Sequence, residues 1–447
     1  METKVLCSTN QPHALLFANH KFMLLWMAQT LTQIVQNLMG LALVTLSFQL
    51  SNGSAFITSA TVAAFLLPGV IFSAISAAFV DRVSKRLILV YSSLLRAIVI
   101  PLLIGVSFLD QAIALPLVLL FTVLFSTLGQ FFGPAEGALI PALVDNENLV
   151  KANSCFQITF FGAQFIGFSL LGPILPAIIG LQNLFWLCSL IFLVATILLW
   201  SLPTTSRKTR FQVAQLKQMV TLLAETKKEI SEGWDFIRQR PLIWFSIVRL
   251  SMVQVLLFTL TGIGLSFISD KDAGLGLSAD KLVFILVPLS IGIGLGLLLV
   301  NLIVSNTTRP LIMFLATIGI SVTLFGMGFL KPMLNLFSSP AEYGEATPLT
   351  ILVILSLLFG LFISMINVPA LTILQENAPK QLVGRVYAAY YTLSNFVTLF
   401  PLLFAGSVAD SLGVVPIFFL LGASVLFIGL NSHFKELPQD SRSVVQK

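Results

Sequence analysis

Twelve apolar runs, each long enough to cross a bilayer, dominate this sequence. A spanning helix needs about 20 predominantly apolar residues. Such runs cover roughly residues 21–50, 55–80, 87–108, 112–140, 150–177, 181–202, 241–269, 280–304, 309–330, 348–375, 383–409 and 413–432. Short polar breaks separate them, such as Asp81-Arg82-Val83-Ser84-Lys85-Arg86. Only 10% of the 447 residues are charged, and 57% are hydrophobic. A typical soluble domain carries about 25% charged residues. So few charges cannot cover a water-facing surface, and lipid must solvate much of this chain. That excludes an ordinary cytosolic enzyme, a disulfide-stapled secreted domain and a disordered chain. The runs are also too long, and too uniformly apolar, for the alternating strands of a membrane β-barrel. The expected fold class is an all-α integral membrane protein of twelve transmembrane helices.

The basic residues orient those helices. Cytoplasmic loops of membrane proteins carry an excess of Lys and Arg. With the N-terminus placed inside, 20 of the 25 basic residues fall on the inner side, and Lys271, Lys281 and Lys331 fall outside. Arg96 and Arg249 lie within runs. Both termini are therefore expected in the cytoplasm. The net charge of +6 is explained by this asymmetry and requires no nucleic-acid partner. Residues 1–20 lack the pattern of a cleaved signal peptide, so the first run is read as an uncleaved span.

One long polar connection, 203–240, divides the chain into 1–202 and 241–447, each with six runs. Within it, Leu216, Met219, Val220 and Leu223 follow amphipathic helical spacing. A linker helix at the cytoplasmic membrane surface is expected there. The halves are also weakly similar. Pro134-Ala135 is followed by Leu149-Val150-Lys151, and Pro369-Ala370 by Leu382-Val383-Gly384-Arg385, at corresponding places. Two related six-helix halves are a transporter architecture, with the binding site between them near the midplane.

Several stretches carry a family resemblance. They are Leu25-Trp26 through Gln29, Pro68, Asp81-Arg82 with Lys85-Arg86, Phe132-Gly133-Pro134-Ala135, Ile140-Pro141-Ala142-Leu143 and Ala152-Asn153. Glu232-Gly233-Trp234 to Arg240-Pro241, Gly384-Arg385-Val386, Ala405-Gly406 and Asp410 follow in the second half. In this order and spacing they resemble the major facilitator superfamily, most of all its macrolide-efflux and enterobactin-exporter branch. The resemblance implies two pseudo-symmetric six-helix halves in the plasma (inner) membrane of a bacterium. It also implies that Asp81, with Arg82, Lys85 and Arg86, faces the start of the eleventh helix near Arg385 and helps lock a cytoplasmic gate. Both glycines of the family's motif at this loop are replaced here. Gly172-Pro173 resembles the antiporter motif of exporting branches. Where this branch often carries Gly-Asp in helix 1, the chain has Val35-Gln36, and a glutamine exchanges no proton.

Polar side chains are costly in lipid and turn toward protein or a water-filled cavity. Gln29, Gln33, Gln36 and Asn37 share one face of the first run. Gln157 and Gln164 in the fifth, Arg249 and Gln254 in the seventh, Asn367 in the tenth, and Tyr387, Tyr391 and Asn395 in the eleventh complete the expected substrate-lining set. Glu136 in the fourth run is the candidate for proton coupling, and Gln130 stands in that run where drug exporters carry a basic residue. Neutral amides and phenols with few fixed charges suit a neutral or weakly charged amphipathic compound.

The remaining features point to packing. Cys7, Cys155 and Cys188 form no paired motif, and the three histidines lie near the chain ends, so no metal or cofactor site is expected. Gly292-x-Gly294-x-Gly296 has the look of a nucleotide loop, but no strand precedes it, and it reads as helix packing. No paired-carboxylate or nucleophile–base constellation lies within the runs, so a carrier is expected rather than an enzyme. The expected function is secondary export of a drug, macrolide or siderophore-like compound by a monomer surrounded by lipid, with protons one candidate for the coupling ion. An importer or lipid translocator on the same fold, or a non-transporting receptor or scaffold, are the alternatives.

Overall fold

The computed structural model describes residues 16–80, 83–145, 148–203, 237–270, 274–303, 309–337, 346–377 and 383–443. The predicted linker helix lies outside them. Twelve spans run through the described residues. The first four are α1 (His20–Leu50), α2 (Ala55–Val80), α3 (Lys85–Val106) and α4 (Gln111–Leu143). Next, α5 joins an α-helical Leu149–Ala163, a π-helical Gln164–Leu171 and an α-helical Gly172–Ile179. They continue as α6 (Leu181–Trp200), α7 (Pro241–Ser269), α8 (Val283–Ile303), α9 (Arg309–Phe337), α10 (Ala346–Asn377), α11 (Val383–Leu412) and α12 (Val415–Ser443).

Hydropathy places these helices and local chemistry ends them. Asn19 caps α1, its side-chain oxygen accepting from the amides of Lys21 and Phe22, while its Nδ2 donates to the Leu143 carbonyl at 2.7 Å. One asparagine thus satisfies orphan groups at the start of α1 and the end of α4. Gly180 (φ 77°) and Gly413 (φ 83°) make the tight turns before α6 and α12, where the left-handed backbone favours a residue without Cβ.

Two six-helix groups result. In the first, α3 packs on α4 and α6, α2 on α4, and α1 on α5 and α6; in the second, α8 and α9 pack on α10, α9 on α12, and α7 on α10 and α11. The groups meet where α2 packs on α11 and α7, and where the π-helical part of α5 packs on α8. Large apolar side chains such as Leu302 (70% exposed), Phe427 (70%) and Ile197 (66%) point outward. On a water-soluble protein they would form an aggregating surface; here they are the lipid contact.

Small residues permit the closest approaches. On α5, Gly167 lies against the Ile34 carbonyl of α1, and a Cβ on Gly172 would meet Leu41 Cδ2 at 2.8 Å. Gly172 and Pro173 are buried in this packing. Polar side chains tie helices through backbone carbonyls: Ser126 Oγ donates to the Phe65 carbonyl at 2.6 Å, and Ser189 Oγ to that of Ala97 at 2.7 Å.

The starts of α1, α3, α5, α7, α9 and α11 and the ends of α2, α4, α6, α8, α10 and α12 share one end of the bundle, termed the basic end. There Arg309 pairs with Glu376, linking the start of α9 to the end of α10. The hydrogen bond from Arg309 holds the Glu376 carboxyl below its ordinary range. A carboxyl lowered in the folded state stabilises above its unfolded pKa, and that contribution disappears as pH falls through the folded value. Glu376 is exposed, so solvent screening limits the pair to about 1 kcal/mol or less. Accordingly, E376Q should melt slightly below the wild type at pH 7, and the difference should shrink as pH falls below the unfolded carboxyl value of about 4.3 and vanish below the folded one. A difference that did not shrink on acidification, or exceeded about 1 kcal/mol at pH 7, would contradict this account.

Candidate functional site: a polar belt across the bundle

At mid-bundle, polar side chains from five helices lie at one level, with a glycine of a sixth between them. On α1, Gln36 Oε1 accepts from Arg96 Nη1 of α3 at 2.9 Å. Arg96 Nη2 sits against Gly129 of α4, filling the place where a Cβ would stand, and Gln36 Nε2 is 3.5 Å from that same point. The next residue, Gln130, lays its amide against Gly69 of α2, with Nε2 3.6 Å from the position of a Cβ there. Asn395 Nδ2, from α11, is 3.8 Å from that position. Asn395 Oδ1 accepts from Gln254 Nε2 of α7 at 2.6 Å. Glycine at 69 and 129 leaves room for these amides between the helices.

The belt therefore passes from α3, α1 and α4 through α2 to α11 and α7, crossing between the two six-helix groups. Gln36, Gln130, Gln254 and Asn395 are half-buried. Half-exposed amides at this depth would be costly against lipid, which favours a cavity or protein surface for them.

The other predicted residues are placed differently. Gln33 is half-buried, and Asn37 donates back to its carbonyl at 2.9 Å. Gln29 is 2% exposed, and its Oε1 has no partner among the described residues. Arg249 is fully buried and turns into its own group, with Nη2 donating to Ser432 Oγ of α12 at 2.7 Å. Gln164 is exposed on the π-helical part of α5, and Asn367 is half-buried on α10. Glu136 is buried, with Oε1 unpartnered among the described residues. Arg86 donates to the Trp200 carbonyl and lies over the Trp200 ring, tying α3 to α6. Lys85 begins α3. Asp81 and Arg82 lie outside the described residues, as do the side chains of Gln157, Arg385, Tyr387 and Tyr391. The expected substrate-lining set omits Arg96 and Gln130, whose signals in the sequence are a cation inside an apolar run and a glycine immediately before the glutamine.

The far end of the bundle is held by a carboxylate. Asp410, near the end of α11, accepts from Ser54 Oγ at 2.6 Å, the Ala55 amide at 2.6 Å and the Phe56 amide at 3.2 Å. It thus caps the start of α2 from the other six-helix group, where the helix dipole favours negative charge. Beside it, Thr58 Oγ1 donates to the Gly262 carbonyl of α7 at 2.6 Å. A Cβ at Gly262 or Gly406 would approach Ser59 Oγ to 2.7 Å, so α7 and α11 close directly on α2.

The family model of the Major Facilitator Superfamily matches residues 25–401. The chain belongs to this superfamily. YfiS of Bacillus subtilis (strain 168), an uncharacterized MFS-type transporter, is 25% identical over 439 residues, covering 97% of each chain. YvqJ of the same organism, also an uncharacterized MFS-type transporter, is 21% identical over 356 residues, covering 80% of this chain and 78% of that protein. The crystal structure of the nucleoside transporter NupG covers 93% of this chain and 99% of its own, with a TM-score of 0.66 at 11% identity. That likeness establishes the fold: twelve helices in two six-helix halves. The chain is a membrane transporter of the major facilitator type, and the belt lies where its two halves meet.

Proposed function

We propose that this member of the superfamily is a secondary exporter of an amphipathic organic compound, bound at the polar belt and released by alternating access. The observation that carries this reading is the belt itself. A site built jointly by α1, α3 and α4 and by α7 and α11 must be remade when the halves rock against each other. Support for export comes from the resemblance to the macrolide-efflux and enterobactin-exporter branch. In this reading the transporter is a monomer in the bacterial inner membrane, its termini are cytoplasmic, and residues 203–240 link halves 1–202 and 241–447. Asp81, Arg82, Lys85, Arg86 and Arg385 serve the cytoplasmic gate. Glu136 exchanges the coupling proton, since Gln36 cannot. The protein performs no covalent chemistry on its cargo.

The test is transport into inverted membrane vesicles, with and without a protonophore, over siderophores, macrolides and amphipathic dyes. Protonophore-sensitive uptake of at least one compound is expected. Q36A and N395A should each weaken apparent affinity by about 2- to 13-fold, as for loss of one hydrogen bond. Uptake only into right-side-out vesicles would reverse the direction. Unchanged affinity in both variants would remove the belt from the substrate path.

A further inference from the structure

Arg96 is a buried cation without an anion among the described residues. It is 1% exposed, and its Nε and Nη2 have no hydrogen-bond partner among the described residues. Its surroundings are the rings of Phe125 (5.2 Å), Phe192 (5.5 Å) and Phe132 (6.0 Å) and the amide oxygen of Gln36. Ring faces attract a cation, but they accept no N–H hydrogen bond of ordinary strength and carry no net charge. A guanidinium kept in an apolar core with two donors unused is destabilising unless something else meets it.

The contact with Gln36 has a consequence for polarity. Guanidinium only donates, so the Gln36 atom facing it must be the oxygen. The Gln36 amide is therefore turned so that its N–H groups remain available. Arg96 Nη2 fills the notch left by Gly129, and the Gln36 amide nitrogen lies 3.5 Å from the same point, so the two donors stand side by side. Further along the belt, Asn395 gives its oxygen to Gln254 and keeps its own N–H groups at the Gly69 notch. At the Gly69 notch the Gln130 oxygen, 3.7 Å away, stands beside these donors, whereas the polar groups at the Gly129 notch are all donors and one is cationic. Oxygen acceptors with negative charge complement such a surface; ammonium groups do not.

We propose that the compound carried is an organic anion, an amphipathic monocarboxylate whose carboxylate is received by Arg96 Nη2 and the Gln36 amide beside Gly129. This rests on the belt being the substrate site and narrows the substrate class. Gln36 acts as the adjustable arm: held by Arg96 at its oxygen, it presents N–H to the ligand. A single guanidinium with neutral amides around it suits one negative charge and leaves a dianion undercompensated.

Matched probes test this on the purified full-length protein. The series consists of 4-phenylbutyrate, decanoate and a bile acid such as cholate, each beside its neutral amide and its amine analogue. Ligand binding to the native state stabilises it by RT ln(1 + [L]/Kd), so the melting temperature rises with ligand concentration. At least one carboxylate should raise it with the logarithmic concentration dependence of single-site binding, with its amide about 10- to 100-fold weaker and its amine inactive. R96Q should abolish the preference for carboxylate over amide, and R96K should restore part of it. G129A keeps the charge but pushes on Nη2, so it should weaken the carboxylate and spare the amide; it carries the test if R96Q fails to fold. The proposal is overturned if no carboxylate binds, if amide and carboxylate bind equally to the wild type, or if the preference survives both R96Q and G129A. Should neutral or cationic compounds then still be transported with sensitivity to N395A, the belt stands as the site and only the anion assignment falls.

Discussion

Removing the Asp410 carboxylate should unlatch the far end of the bundle. In D410A the Ser54 hydroxyl and the amides of Ala55 and Phe56 lose their acceptor, and the start of α2 loses its negative charge. Hydrogen bonds to a charged group are worth about 1.5–3 kcal/mol each when well protected. Asp410 is exposed, so water replaces much of that. A net change of about 2–4 kcal/mol between the latched and unlatched arrangements is expected, or roughly 30- to 700-fold in their ratio. Because the latch joins α11 of one half to α2 of the other, the change falls on the equilibrium between transporter states more than on the folding of either half. Ser59 provides the reporter. It is fully buried under Gly262 and Gly406, and S59C is nearly isosteric. In a background lacking the native cysteines, S59C should react slowly with a hydrophilic maleimide, and D410A should accelerate the reaction strongly. D410N keeps one acceptor oxygen without the charge and should fall between. Equal labelling rates in all three would mean that Asp410 does not hold this end closed.

The second large effect is expected at the seam of α8 and α10. A Cβ on Gly292 would run into the Leu357 carbonyl, and one on Gly360 into the Leu289 carbonyl. The contact is reciprocal and made by backbone on both sides, so no side chain can rotate away. An added methyl group must push the two helices apart and forfeit packing along the whole seam. Gly296 is similar, with a Cβ meeting the Leu361 carbonyl at 2.5 Å. Gly294, two residues from each, has nothing within 4 Å of its missing Cβ. We expect G292A and G360A each to cost about 2–4 kcal/mol and G292L to prevent accumulation of folded protein. G294A should be neutral or slightly stabilising, since alanine is the better helix former. Thermal unfolding in detergent ranks the variants; a G292A as stable as G294A would contradict the packing account. Within one Gly-x-Gly-x-Gly triplet, the alternation of effect separates packing from any general dislike of side chains.

The polar residues divide into those whose neighbours were legible and those whose neighbours were not. Gln36, Gln254 and Asn395 were recognisable as cavity candidates because an amide in an apolar run must find a partner away from lipid. The same reasoning placed Arg249 with them, and the structure instead turns it inward to Ser432. Helical spacing says which residues share a face; it does not say which neighbour that face meets. Arg96 and Gln130 illustrate the converse, since their positions depend on two glycines of other helices, Gly129 for Arg96 and Gly69 for Gln130.

By itself the sequence determined the fold class and the extent of the spans. The run read at 55–80 is the helix Ala55–Val80, and the run at 383–409 lies within Val383–Leu412. Hydropathy is a local property: lipid acts on each segment separately and requires each to satisfy its own backbone hydrogen bonds as a helix. Only the tertiary structure decided that Asp410 caps α2 from 354 to 356 residues away, that Arg96 fixes the polarity of Gln36, and that α8 and α10 touch through glycine backbone. Those contacts depend on how each helix is rotated and how closely it approaches its neighbour. Packing between helices sets both, and no single apolar run contains that information.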